Sequence, residues 1–312
     1  MPRTGLKTKL IALVIGVGTI PLVLAMILSY VQGNKSLINV IGSSFKALAY
    51  ESAAKIDFLI EAEINKNSHL TNHPTLILAV KFQNKRFEDI HPSEVKNHFA
   101  EQSLLWQKED PRMQPFLANA SSRILKTFLH QRSQSNLATT SLYLTDSKGL
   151  LVASTNFYPD FVDADHPAQK FLKDNSAAVF IGQLHHSQKT NKYVFEMVLP
   201  IKSPEGEIIG LFHRAYSAKD FFKPSIESII FGETGRVMLI DSDGVVIDCP
   251  ILPTGTKLED PELVRSVTSQ RTPPSHPNWA LQGKPRDRQH RTPLFIAFLC
   301  ADLRPVLALK TT

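Results

Sequence analysis

The chain has 312 residues, of which 43% are hydrophobic and 21% charged, and a formal net charge of +6. Those proportions exclude a disordered polymer and leave room for one large or two modest domains. The basic residues are scattered with no run interleaved with aromatics, which argues against a nucleic-acid interface, and two cysteines, Cys249 and Cys300, are too few for a disulfide framework or a structural zinc site, although they could form one bond in an oxidising compartment.

From Leu10 to Val31 the sequence LIALVIGVGTIPLVLAMILSYV carries no charge. At about 1.5 Å per residue such a helix spans a hydrocarbon core of ~30 Å. A proline at position 21 is tolerated within a membrane helix, and SYVQGN is a poor cleavage site, so an uncleaved anchor is expected over a signal peptide. Arg3, Lys7 and Lys9 precede the span and only Lys35 follows closely. This bias places residues 1–9 in the cytoplasm and the remainder outside, in the periplasm or at the cell surface of a bacterium with the span in its inner membrane.

Residues 34–135 read as a helical stalk region. Phe45, Leu48, Ala49 and Ala53 share one helical face, continued by Ile56, Ile60 and Ile64. The stretch Asn72–Pro74 interrupts the pattern, because a residue before proline resists the helical region. Further helices are expected over Pro92–Lys108 and Met113–Gln131.

Near Thr139 the period changes to that of strands. TSLYLTD and GLLVAST flank DSKG, a hairpin turn whose aspartate caps backbone donors and whose glycine accepts positive φ. DADHPAQKFLKDN predicts a short helix capped by Asp165 or its neighbour, with Pro167 near its first turn. AAVFIGQL, KYVFEMVLPI and EIIGLFHRAY then read as strands. The order hairpin, helix, three strands predicts an antiparallel sheet of about five strands with helices on one face, an α+β layer over residues 139–220. MLIDSDGVVIDC, from Met238 to Cys249, repeats the pattern of YLTDSKGLLVAS, from Tyr143 to Ser154. A second, incomplete sheet domain is therefore expected over residues 223–270. Residues 271–312 are proline-rich and basic and read as a divergent or poorly folded end. Asp302, Arg304 and Pro305 interrupt its apolar run, so no second span is expected there.

The span, the stalk, LTDSKGLLVASTN, AVFIGQL, VLPIKSPEGEIIGLF and FGETGRVMLIDSDGVVIDCPILPTG together resemble the extracytoplasmic double Cache sensor regions of bacterial histidine kinases, chemoreceptors and diguanylate cyclases. The resemblance runs from about Leu37 to Gly255. It implies a long helix carrying two PAS-like domains, the membrane-distal one holding a small ligand. Two departures stand out. ADHPAQKFL occupies the place of the arginine and tryptophan found in members that bind free amino acids, and HRAYS, Arg214–Ser217 with the histidine before it, occupies the place of their late aspartate. The modules that normally follow in the family, a second span with HAMP and a kinase, cyclase or methyl-accepting domain, have no counterpart within these 312 residues, so a sensor input truncated before its transmitter is the expectation.

A pocket needs convergent polar groups in an apolar wall. Tyr158, Asp160, Asp163, Asp165, Phe171, Tyr193, Glu196, Phe212 and Tyr216 are the candidate ligand-binding residues; the plainer alternative is aromatic core and solvated aspartates. Asp163, Asp165 and His166 with His185 and His186 raise a metal reading, but adjacent histidines on a strand point apart, and a surface loop is the expectation. DSDG at Asp241 lacks the acidic residue that a calcium loop requires at its twelfth position, where Leu252 stands. Neither a nucleophile elbow nor a phosphate loop is present, so no catalytic residue, metal or cofactor is expected. The function expected is a membrane-anchored small-molecule sensor with a homodimer through the stalk as an option. The alternatives are a tethered solute- or partner-binding protein, or a non-functional remnant produced by a frame change near Gln282.

Overall fold

The structure, a computed structural model, describes residues 6–131, 137–174, 179–226, 230–231, 235–241, 243–262, 264–265 and 295–300. Two compact units divide at residue 50. The first unit is helical: helix α1, Leu6–Thr71, begins in it and runs through Pro21. Its stretch Leu13–Ser44 is long and apolar enough to cross a membrane by length and composition, and Leu13, Val17, Leu22 and Met26 are exposed.

In the second unit, residues 51–71 of α1 lead to helix α2, Pro74–Arg86. The break falls where the sequence places it: Pro74 lacks the N–H that a continuous helix would use, and the His73 side chain accepts from Thr75 N–H at 3.3 Å. The two further predicted helices are each broken. Pro92–Glu94 is a 3₁₀ turn followed by α3, Val95–His98, and α4, Ala100–Gln107. Phe99 interrupts because its ring is drawn into an aromatic cluster, 5.0 Å from Phe87 and 6.3 Å from Phe161. A second 3₁₀ turn, Pro111–Met113, precedes α5, Pro115–Ala118, and α6, Ala120–His130. Between the last two, Asn119 is extended, caps Ser122 N–H at 2.8 Å and donates to the Val152 carbonyl at 3.0 Å. Short helices thereby take the place of the two longer ones expected over residues 92–108 and 113–131.

The first sheet has six antiparallel strands: β1 Thr139–Asp146, β2 Leu151–Ser154, β3 Phe180–Ile181, β4 His185–Ser187, β5 Lys192–Lys202 and β6 Ile208–Ser217. Their order is β2-β1-β6-β5-β3, with β4 also paired to β5. Among the described residues of the expected run AAVFIGQL, Phe180–Ile181 form strand β3, and β4 is an additional strand. Helix α7, Pro167–Asp174, crosses between β2 and β3. Its cap is His166, whose Nδ1 accepts from Ala168 N–H at 3.1 Å; Asp165 turns instead to Lys96 on α3.

Strand alternation divides this sheet into two faces. Leu142, Leu144, Phe195, Met197, Phe212 and Tyr216 look toward Ile56 and Leu70 of α1, α2 and α6 in the main core. Opposite them, Tyr143 joins Trp106, Leu151 and Phe161, while Val198 and Leu211 pack against Ala168 and Leu172 of α7.

Helix α8, Ala218–Ile226, leaves β6 and carries Phe221 and Phe222 into the main core, which Val237, Leu239 and Ile247 extend into the second sheet. That sheet comprises β7 Ile230–Phe231, β8 Gly235–Ile240, β9 Val246–Asp248 and β10 Phe295–Cys300. β8 pairs with β7, β9 and β10. β1 stands between its hairpin partner β2 and the late strand β6, and β8 pairs with its hairpin partner β9 and with β10. Strand β10 falls inside the segment read as divergent or poorly folded; the rest of that segment, 271–294 and 301–312, lies outside the described residues. Cys249 is buried as a free thiol beside Met238, Ile240 and Val246.

Both DSxG turns work alike. Asp146 Oδ1 accepts from the N–H of Lys148 and Leu150 at 2.8 and 2.9 Å, and Asp241 Oδ1 from those of Asp243 and Val245 at 2.9 Å each. The carboxylates are turned in on their own loops, which gives the aspartate a structural duty in each copy. Gly149 has φ +80°, and a Cβ there would stand 2.5 Å from the Asp163 carbonyl oxygen. Gly149→Ala should therefore lower stability by roughly 1–3 kcal/mol. Gly206→Ala, at φ +91° with nothing within 4 Å, should cost only about 1 kcal/mol; urea midpoints of the two variants in detergent check the difference.

Candidate functional site

The sheet face away from α1 gathers polar residues that would be costly to bury singly. Tyr143 comes from β1, Glu196 from β5, His213 from β6, and His166 with Asp163 from the loop entering α7. Tyr143 is 2%, Glu196 8% and His213 1% exposed. The Tyr143 hydroxyl donates to Glu196 Oε1 at 2.9 Å, and His166 Nε2 lies 3.2 Å from Glu196 Oε2. Because His166 Nδ1 already accepts from Ala168 N–H, its proton sits on Nε2 and points at the carboxylate. The His213 ring stacks on Tyr143 at 4.4 Å and meets the His166 ring edge-on at 5.1 Å. Its Nε2 is 3.1 Å from Thr145 Oγ1. Assigning the proton to that nitrogen leaves Nδ1 with a lone pair facing Glu196 Oε2 across 3.8 Å, too far for a hydrogen bond. Asp163 Oδ2 stands 4.0 Å from His166 Nε2.

The electrostatics follow from burial among these neighbours. Burial pushes the Glu196 carboxyl up, but the bond from His166 and the nearby His213 reverse this and hold it below the usual carboxylate range. Burial pulls His166 down, yet its bond to Glu196 and the charge of Asp163 leave it raised. His213 is lowered by burial. Burial raises Asp163 and takes the Tyr158 phenol, with Glu196 nearby, up to about 12.

Of the sequence-predicted residues, Glu196 and Asp163 lie in this cluster, and Tyr158 is close enough to sense the Glu196 charge. Phe171 reaches it through Phe180, 5.6 Å away, which in turn lies 5.9 Å from His166. Asp160 and Asp165 are exposed. Tyr193 belongs to the β4 edge, with His186 at 5.1 Å and Gly255 against its ring. Phe212 and Tyr216 point to the α1 face, because even-numbered residues of β6 alternate away from His213. His185 and His186 are exposed on β4 and stand apart from the cluster. His213, Tyr143 and Thr145 escaped the sequence reading. The signal available for the first was a His-Arg pair inside the apolar run LFHRAY, since neighbouring strand residues must serve opposite faces.

On the α1 side the next residues along the same strands are engaged. Arg214 Nη1 donates to Glu63 Oε2 at 2.9 Å and to Asn67 Oδ1 at 2.8 Å, while Tyr216 donates to Glu63 at 3.1 Å. Asn67 Nδ2 contacts Met197 Sδ at 3.3 Å. The polar cluster and the stalk contacts are back to back across a single layer of sheet.

No protein-family model and no curated protein matches the chain. Solved structures do. It is similar to the extracellular domain ascribed to a histidine kinase, rpHK1S-Z16, at 18% identity over 88% of this chain and 100% of that one, with a TM-score of 0.47. It is similar to the ligand-binding domain of the Pseudomonas aeruginosa PAO1 amino-acid chemoreceptor PctC in complex with GABA, at 14% identity over 82% and 98%, with a TM-score of 0.43. The sensor domain of the Vibrio cholerae histidine kinase DctB matches at 16% identity over 73% and 98%, with a TM-score of 0.34. All three are described as domains of receptors or sensor kinases.

Proposed function

We propose that this protein is a membrane-anchored extracytoplasmic sensor input domain that takes a small solute at the Glu196–His213 face. The observation that carries the reading is the alternation along β5 and β6. Glu196 and His213 face the polar cluster, and their neighbours Met197 and Arg214 hold Asn67 and Glu63 of the stalk segment. A solute that shifts β6 by a fraction of an ångström acts on both faces, because a packed strand moves as a unit. The acceptors Glu196 Oε2, His213 Nδ1 and Asp163 favour a donor-bearing or cationic group. The apolar helix would hold the domain at the bacterial inner membrane, and residues 51–71 follow it directly in sequence as the path for the signal.

Such a switch works only where the solute binds two arrangements unequally. The test is a thermal-shift panel of amines, amino acids, carboxylates, purines and divalent ions on the full chain in detergent, followed by amide exchange. One class is expected to raise the melting temperature and to alter exchange at residues 56–71. No shift with any class, or a shift that leaves residues 56–71 untouched, would remove the sensor reading and, in the second case, favour a tethered binding protein.

A further inference from the structure

We infer that the cluster on this face is a binding site for a divalent transition-metal ion of the zinc or nickel type, held by His166 Nε2, Glu196 Oε2 and His213 Nδ1 with Asp163 completing the shell. The inference rests on the proposed solute site and names its ligand class. Around a tetrahedral ion with bonds of about 2.0–2.2 Å, neighbouring ligand atoms stand roughly 3.3–3.6 Å apart. Here His166 Nε2 and Glu196 Oε2 are 3.2 Å apart, Glu196 Oε2 and His213 Nδ1 3.8 Å, and the three atoms lie within 4.8 Å of one another. An alkylammonium, with hydrogen bonds of about 2.8–3.0 Å, would hold its acceptors roughly 4.6–4.9 Å apart. The two separations from Glu196 Oε2, 3.2 and 3.8 Å, suit a bare ion better than an amine.

A second observation points the same way. His213 Nδ1 is buried with no hydrogen-bond partner, in a ring that is 1% exposed, and it faces a carboxylate oxygen. Buried polar atoms are rarely left so, and a cation between the two accepts both lone pairs. The outer contacts already have the form that metal ligands require: Thr145 Oγ1 orients the far nitrogen of His213, and Tyr143 donates to the other oxygen of Glu196. Imidazole with carboxylate selects zinc, nickel or cobalt over calcium and magnesium, which take all-oxygen shells. His166 must change to bind: the ion replaces the proton on Nε2, that proton reaches Nδ1 through solvent, and the Ala168 cap of α7 is released. Ion binding is thereby linked to the start of α7.

The experiment uses the full chain in detergent, stripped with chelator and titrated calorimetrically with Zn²⁺, Ni²⁺ and Co²⁺, with Mg²⁺ and Ca²⁺ as controls. One transition ion per chain is expected, with ligand-field bands from Co²⁺ that report histidine coordination. His213→Asn should weaken binding by more than about 100-fold, and Thr145→Val, which touches no ion, by about 10–100-fold. His166→Asn should also weaken binding while its amide still caps Ala168, which separates lost coordination from lost folding. No stoichiometric uptake, or uptake unchanged in the His166 and His213 variants, overturns the inference. A thermal shift from an organic amine without ion binding overturns it and leaves the sensor reading standing. Ion binding that leaves exchange at residues 56–71 unchanged supports the site and removes the sensor reading.

Discussion

Glu63→Ala is expected to destabilise the protein by about 3–5 kcal/mol, because it removes the carboxylate from a buried ion pair. The Arg214 side chain is 0% and the Glu63 side chain 7% exposed, at 2.9 Å. The guanidinium is fully enclosed: its Nε and Nη2 donate to Thr139 Oγ1 at 3.0 and 2.9 Å, and its Cζ lies 4.7 Å from the centroid of the Tyr216 ring. Alanine at 63 leaves that charge without its carboxylate and Tyr216 without its acceptor. Glu63→Gln, which keeps an oxygen acceptor, should lose less, and the pair Glu63→Leu with Arg214→Met should be closer to neutral, since apolar replacement removes both desolvation costs together. Urea unfolding of the three variants followed by circular dichroism measures the order; equal losses for alanine and the double variant would show that the pair is not what binds the stalk segment to β6.

Trp106→Ala is the second large effect, about 3–5 kcal/mol. Trp106 is fully buried, with Phe157 at 4.5 Å, Phe161 at 5.9 Å and Phe116 at 6.2 Å, and its Nε1–H donates to the Pro159 carbonyl at 2.7 Å. Trp106→Phe should keep most of the packing and lose about 1–3 kcal/mol, the cost of leaving that carbonyl without its donor. The consequence reaches the site. Phe157, Pro159 and Phe161 anchor the loop that delivers Asp163 and His166, so solute binding should weaken in Trp106→Ala more than melting temperature alone would suggest, and calorimetric titration of the folded fraction tests this.

These two residues show where sequence reasoning stops. Trp106 carries no local signal of its role as the pin of a distant loop, which depends on a contact across 53 positions in the chain. Glu63 lay on a helix recognised from its apolar face, Ile56, Ile60 and Ile64. Its partner Arg214 was noted only as standing where an aspartate would fall. Glu196, named from the sequence as a candidate ligand-binding residue, is buried in the strand KYVFEMVLPI with Tyr143 and His166 as partners. That Phe212 and Tyr216 lie on the α1 side depends on the register of β6 against β1, Phe212 opposite Leu144 and His213 opposite Tyr143, which is not written in local pattern.

By itself the sequence determined the apolar helix, the helix break at Pro74, the paired DSxG hairpins and the antiparallel α+β character, because each depends on local rules of hydrophobic length, proline geometry and turn chemistry. The tertiary structure alone decided which side of the sheet meets the stalk, and so which of two adjacent residues, His213 or Arg214, serves the site. The reason is that strand alternation fixes opposition between neighbours but not its sense; that sense comes from β5 and β6 packing Phe195 and Phe212 toward α1, which leaves Glu196 and His213 to meet His166 from a loop that no local signal connects to them.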